Sequence, residues 1–395
     1  MSCSTRIHRR ERGFSLVELM VALALGLLLT IAMATVYLTS KSSFSRQQQL
    51  SSLQQNVRIA FEYLAGDARV VGHLGCYTGL PTLPAGGDFN SALAATGMGT
   101  NYALGVEGYE YTGGIALTLA SSAPANTTTA ASWETNVASN AVNTIPVTTI
   151  SATGLTPGSD VLVIRTVAGR PVRLAANTAS AGTTLSLENM AGGTCSNGST
   201  AKVSGFCTNS HGLIASCTRA RVFQVQSIAA QTLTLTGTLG TDPLYLTGTA
   251  EVFPMQTLVY YVARSSSGTT TSLYRRTFDG DNAAGLEQEL IEGVENMQLR
   301  YGVDTDATPD GIVNLYVPAK GATGTAADSV TDWSRVVAVR MSLLMRSTTP
   351  VESDTAVAAT GVVNGVTVTY PTTGSKYDRR VFTTTVAVRN KISYF

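Results

Sequence analysis

The chain has 395 residues, room for one large domain or two ordinary ones, and only 13% of them are charged, with Gly, Ala, Ser and Thr abundant after residue 75. The net charge of +1 is unevenly placed: the first thirteen residues carry Arg6, Arg9, Arg10 and Arg12 against Glu11, a net of +3, and the rest holds 23 basic and 25 acidic residues, a net of −2. A near-neutral body without Lys/Arg clusters lacks the concentrated positive charge that phosphate binding needs, which excludes nucleic acid as a partner.

After this basic start, residues 14–38 (FSLVELMVALALGLLLTIAMATVYL) form a 25-residue apolar run whose only formal charge is Glu18. Roughly 20 helical residues cross the hydrocarbon core, and the preceding arginines stay on the cytoplasmic side, so the body is expected outside. The run is longer than the apolar part of a secretory signal and lacks its small-residue ending. A carboxylate inside a membrane helix costs on the order of 2.5 to 3.5 kcal/mol. Glu18 therefore needs a partner, or else it snorkels to the membrane edge five residues away.

The string Arg12-Gly13-Phe14-Ser15-Leu16-Val17-Glu18 resembles the prepilin signature: a basic leader, a glycine, a mature N-terminal Phe, and Glu as the fifth mature residue. The resemblance implies that a prepilin peptidase cuts between Gly13 and Phe14 and methylates the amine of Phe14, a substrate site and not a catalytic one. It also implies that Glu18 serves assembly, pairing with the terminal amine of a neighbouring subunit in a bundle of helices. Thr35 stands where many major pilins have proline, so local melting of the helix on assembly is not implied.

Beyond the apolar run, Leu50, Leu53, Val57, Ala60, Phe61, Leu64, Ala68 and Val71 recur every three or four residues. With Gly72 and Gly75 as stop signals and no proline before Pro81, the pattern predicts one helix from about 14 to about 71, roughly 85 Å long. Two helices broken at the Ser/Thr cluster of 39–45 are the alternative. The expected organisation is a leader over 1–13, a transmembrane or filament-core segment over 14–38, the amphipathic second half of the helix over 39–75, and a β-rich globular domain over 76–395.

Residues 77–143 read as an irregular, surface-decorating insertion. From 144 onward strand-like runs recur between turn residues: TIPVTTI, DVLVIRTV, TLSL, RVFQVQSI, QTLTLTG, QTLVYYVAR, SLYRRTF, ENMQLRYGV, RVVAVRMSLLMR, VVNGVTVTY and RRVFTTTVAVRN. In RVVAVRMSLLMR, Val337, Val339, Met341, Leu343 and Met345 alternate with their neighbours as in a half-buried strand. The fold class is α+β: a long N-terminal helix, transmembrane in its first half, packed on a mainly antiparallel sheet with insertions. This is the pilin-like architecture.

Asp67-Ala-Arg-Val-Val-Gly-His-Leu-Gly-Cys76, Gly293-Val-Glu-Asn-Met-Gln-Leu-Arg-Tyr-Gly-Val-Asp-Thr-Asp306 and Asp332-Trp-Ser-Arg-Val-Val-Ala-Val-Arg340 look like PilW-type minor pilins. That resemblance implies a structural protein placed with other minor pilins near the tip of a type IV pilus. There it would help to initiate assembly and to support adhesion and twitching motility. Its implied partners are the other minor pilins, the major pilin, a tip adhesin, the prepilin peptidase and the inner-membrane assembly platform. Before assembly the chain would sit in the inner membrane with its body in the periplasm; afterwards it would be on the pilus. A J-like pseudopilin of type II secretion shares the N-terminus and the segment at 294–301. A membrane-anchored β-domain enzyme or sugar-binding module is a third reading.

Cleavage at residue 13 removes Cys3 and leaves Cys76, Cys195, Cys207 and Cys217. Their spacing forms no C-x-x-C pair and no zinc site, so two disulfides are expected, with three pairings open. His73 and His211 sit in no recognisable catalytic setting, and no enzymatic activity or cofactor is expected. His73 reads as a structural residue at the helix end. Asp304, Asp306 and Asp310 lie within seven residues between two strands. An Asp-rich turn is the preferred reading and a calcium site the alternative, because the spacing departs from an EF-hand loop.

Overall fold

The computed structural model describes residues 13–77, 89–91, 98–102, 104–112, 116–118, 125–129, 132–136, 144–188, 192–196, 202–240, 244–280, 285–347, 350, 360–369 and 377–388. The leader before Gly13 and much of the expected insertion lie outside these residues.

The chain begins with one helix of 54 residues, Leu16–Arg69, roughly 80 Å long at 1.5 Å per residue. No break occurs at residues 39–45. Two of the hydroxyls there bond back along the helix itself, Thr39 Oγ1 donating to the Thr35 carbonyl and Ser42 Oγ to that of Thr39, so they do not draw the backbone out of the helix. Thr35 does the same to Ala32. The helix stops at Val70, and Gly72 and Gly75 follow with φ of +70° and +67°. Gly75 is required on two counts, because a Cβ at that positive φ would also come within 2.9 Å of the Phe253 ring.

The halves of this helix meet opposite environments. From Phe14 to Leu38 every large apolar side chain is between 51% and 87% exposed, a surface that a water-soluble protein would bury. Further on, Leu53, Val57, Ala60, Leu64 and Ala68 are buried at the expected spacing, with Leu50 and Phe61 half-buried. This stripe lies against a four-stranded antiparallel sheet, ordered Leu315–Val317, Val294–Val303, Val336–Arg346, Arg379–Ala387, and against the near end of a larger sheet.

One strand organises the larger sheet. Residues 251–254 of Glu251–Arg264 pair with His211–Ala215 and Val172–Arg173, whereas its later residues pair with Val161–Val167 and Thr271–Phe278. It thus joins a near half, which packs toward the helix, to a distal half built from His211–Ala215, Ala220–Ala229, Thr232–Thr236 and Thr184–Ser186 around a separate core. Among the described residues pairing is antiparallel except for two three-residue ladders, Phe89–Ser91 on Ala220–Val222 and Ala116–Thr118 on Thr367–Thr369.

Three expectations are corrected. TIPVTTI is not a strand: Pro146 caps a single helical turn, Val147–Ile150, whose two apolar ends are both buried. Within the expected insertion, Val106–Tyr111 is a genuine sheet strand paired to Val161–Val167, with Val106, Glu107 and Tyr109 fully buried. Glu107 is neutralised there by Arg165 at 2.6 Å, a buried pair that two charged residues distant in sequence do not announce. Val336–Arg346 is buried on both faces, because the Thr360–Val363/Val366–Thr369 hairpin covers Leu344 on the side away from the helix.

Candidate assembly site on the N-terminal helix

Ser15 is the N-cap of the long helix. Its hydroxyl accepts from the Glu18 amide at 3.2 Å, and the Glu18 carboxylate accepts from the Ser15 amide at 3.0 Å through Oε2. This is a reciprocal capping box, and a carboxylate in the first turn also opposes the positive end of the helix dipole. Glu18 therefore has a partner within its own chain, which the sequence reading did not assign. The Ser-x-x-Glu spacing of residues 15–18 was the signal that reveals it. Gly13 and Phe14 precede the cap outside the helix and exposed, Phe14 being 87% exposed, and nothing lies within 4 Å of where a Gly13 Cβ would stand. The Gly13/Phe14 junction is thus sterically open on the described side.

The four cysteines of the body form two disulfides, Cys76 with Cys217 and Cys195 with Cys207. The first joins the turn after the helix to the turn between His211–Ala215 and Ala220–Ala229, beside the cluster of Leu74, Leu213, Val222 and Phe253. It locks the distal half of the large sheet to the helix end. His73 packs edge-on against Phe253, as a structural residue would. His211 packs on Tyr102, and burial lowers its pKa to about 4, which keeps it neutral.

Asp304, Asp306 and Asp310 come together, one oxygen of each lying within 4.8 Å of the others. Asp304 is buried, and its carboxylate accepts the amides of Asp306, Asp310 and Gly311 at 3.1, 2.9 and 2.8 Å. Asp310 accepts from Ile312, and Asn314 bridges Thr305 and Asp306. These bonds serve the Asp-rich turn that the sequence favours.

The fold and the exposed apolar half-helix are those of a pilin-like protein. Residues 259–390 are similar to the family described as Type IV Pilus-assembly protein W, and residues 8–34 to the prokaryotic N-terminal methylation motif. Together the two matches support a PilW-type, pilin-like protein. A search of curated proteins finds no match.

Proposed function

We propose that the chain is a structural minor pilin of a type IV pilus, inserted in the inner membrane through residues 14–38 and then incorporated with other minor pilins near the filament tip, where it primes assembly. The observation that carries this reading is the conjunction, on one helix, of the N-terminal methylation motif and an apolar half left wholly uncovered. An 80 Å helix whose second half alone is packed has its first half available to a bilayer and then to neighbouring helices. The match over residues 259–390 favours the pilus system over a type II pseudopilin. In this reading the prepilin peptidase, the assembly platform, the major pilin and a tip adhesin are its partners, and the chain has no enzymatic activity of its own. Mass spectrometry of the mature N-terminus is the test: it should begin at methylated Phe14, and retention of Met1 where the prepilin peptidase is active would contradict the reading.

A further inference from the structure

A cleft of about 780 Å³ opens between the two sheets, a volume in the range of small-molecule sites. Its walls carry both signs of charge, Glu110, Glu134 and Asp328 against Arg300 and Lys320. Most of that charge is already spent within the chain. Glu134 pairs with Lys320, and its Oε1 accepts the Thr112 hydroxyl at 3.5 Å. Asp328 accepts the amides of Thr323 and Thr325 at 2.6 and 3.1 Å and the Ser329 hydroxyl at 2.8 Å, all from its own loop. One carboxyl and one guanidinium remain, those of Glu110 and Arg300, and they are opposite in sign.

These two groups keep unused hydrogen-bonding capacity. Glu110 accepts the Ala319 amide, yet its Oε2 sits in the cleft wall without a partner. A polar atom left so costs stability until a donor reaches it. Arg300 stands opposite Arg340 in the ladder of Val294–Val303 with Val336–Arg346 and donates its Nε–H to the Asn364 carbonyl at 3.2 Å. Among the described residues its Nη groups have no hydrogen-bond acceptor. Gln298 donates to the Gly158 carbonyl at 2.7 Å, which leaves its Oε1 to accept. Tyr111 and Tyr316 complete the lining, Tyr316 with the Arg340 guanidinium over its ring at 3.8 Å. Each phenol hydroxyl adds a group that both donates and accepts.

We propose that this cleft binds a neutral mono- or disaccharide, whose hydroxyls donate to Glu110 Oε2 and Gln298 Oε1 and accept from the Nη groups of Arg300. The mixed charge of the walls selects the class. An anion would meet three carboxylates and a cation two fixed positive charges, whereas a sugar hydroxyl both donates and accepts and brings no charge to desolvate. A peptide is disfavoured by the strand edge at the cleft: Leu315–Val317 is only three residues long and runs into Pro318, which lines the cleft and has no N–H to pair. This inference does not rest on the assembly reading.

The test is saturation-transfer NMR with calorimetric titration of the full chain, kept in a detergent without a sugar headgroup. The probes are the neutral disaccharides cellobiose and N,N′-diacetylchitobiose, cationic chitobiose, anionic digalacturonate, and N-acetyl-tetraalanine amide as a neutral peptide. At least one neutral disaccharide should bind with an affinity that added salt does not change, and the charged sugars and the peptide should bind about tenfold more weakly or worse. Arg300→Gln should lower the affinity of that disaccharide about tenfold, the loss of a charge-assisted contact. Tyr111→Phe, which removes one hydroxyl and keeps the ring on Trp133, should lower it about threefold at unchanged Tm and serves as the readout if Arg300→Gln does not fold. Incorporation of both variants into filaments should be normal, which separates this claim from the assembly reading. Failure of both neutral disaccharides to bind, tighter binding of either charged sugar, or unchanged affinity in both variants would each overturn the proposal. Tighter binding of the peptide would do the same by pointing to a protein partner.

Discussion

At Glu18 two roles share one carboxylate. In a single chain it closes the capping box with Ser15, and in the proposed filament it also meets the terminal amine of a neighbour, with Oε1 left over by the cap. Removing it costs the helix end about 1 kcal/mol, too little to unfold 54 residues packed along half their length. Glu18→Ala should therefore insert in the membrane normally and leave the body intact, while the fraction recovered with sheared pili falls steeply. Normal incorporation would leave Glu18 only its capping role. A second residue-scale effect concerns Glu110 and Asp160, whose folded pKa values lie above their unfolded ones. Between about pH 4 and 7 the folded protein thus binds more protons than the unfolded chain, and this contribution to stability is lost as pH rises, by at most about 1.4 kcal/mol per pH unit for each proton. Buried His211 acts in the opposite sense, resisting charge as pH falls below its ordinary value. The difference between wild type and Glu110→Gln isolates the carboxylate: Tm measured across that window should fall less steeply in the variant, and parallel curves would contradict the assignment.

Among the elements, the two disulfides should differ in weight. Cys76–Cys217 closes a separation of 141 residues and Cys195–Cys207 one of 12, which on the chain-entropy account correspond to about 5 and about 3 kcal/mol. Urea unfolding of the two Cys→Ser double variants, followed through the buried Trp133 and Trp333, should rank them in that order; equal losses would show that the longer loop is already constrained when unfolded. The aspartate turn gives a separate expectation. Asp304→Ala strands three amides and should cost about 2 kcal/mol or more, whereas adding calcium or a chelator should leave Tm unmoved. A chelator-reversible rise of several degrees with calcium would convert the turn into a metal site. The long helix and most strands were legible in the sequence because their periodicity runs over many residues, as from Leu50 to Ala68. Leu286–Glu292 was not, since Leu-Glu-Gln-Glu-Leu favours helix, and only its pairing with Thr271–Phe278 makes it an edge strand. Val106–Tyr111 was hidden by its central Gly108, which is there because a Cβ would overlap the Tyr301 hydroxyl where the two sheets approach. The disulfide pairing required the fold, as did the meeting of Arg300 with Arg340 across a ladder that joins residues forty apart.

At the scale of the whole molecule, the part that resembles PilW supplies much of the helix mount. Residues 259–390 include the whole four-stranded sheet, whereas Val106, Leu162, Ile164 and Leu258, which share the core with Leu53 to Ala68, lie before that stretch, as does the distal half of the large sheet, which hangs on Glu251–Arg264 and the Cys76–Cys217 bridge. The proposed function rests on the other end of the chain, on an apolar half-helix that would be freed at Phe14 and buried only among its neighbours. The most direct measurement is mass spectrometry of the N-terminal peptide of this protein recovered from sheared, purified pili. The account predicts a peptide that starts at N-methylated Phe14. A peptide that retains Met1, or one cut beyond residue 30 with the apolar run removed, would contradict it.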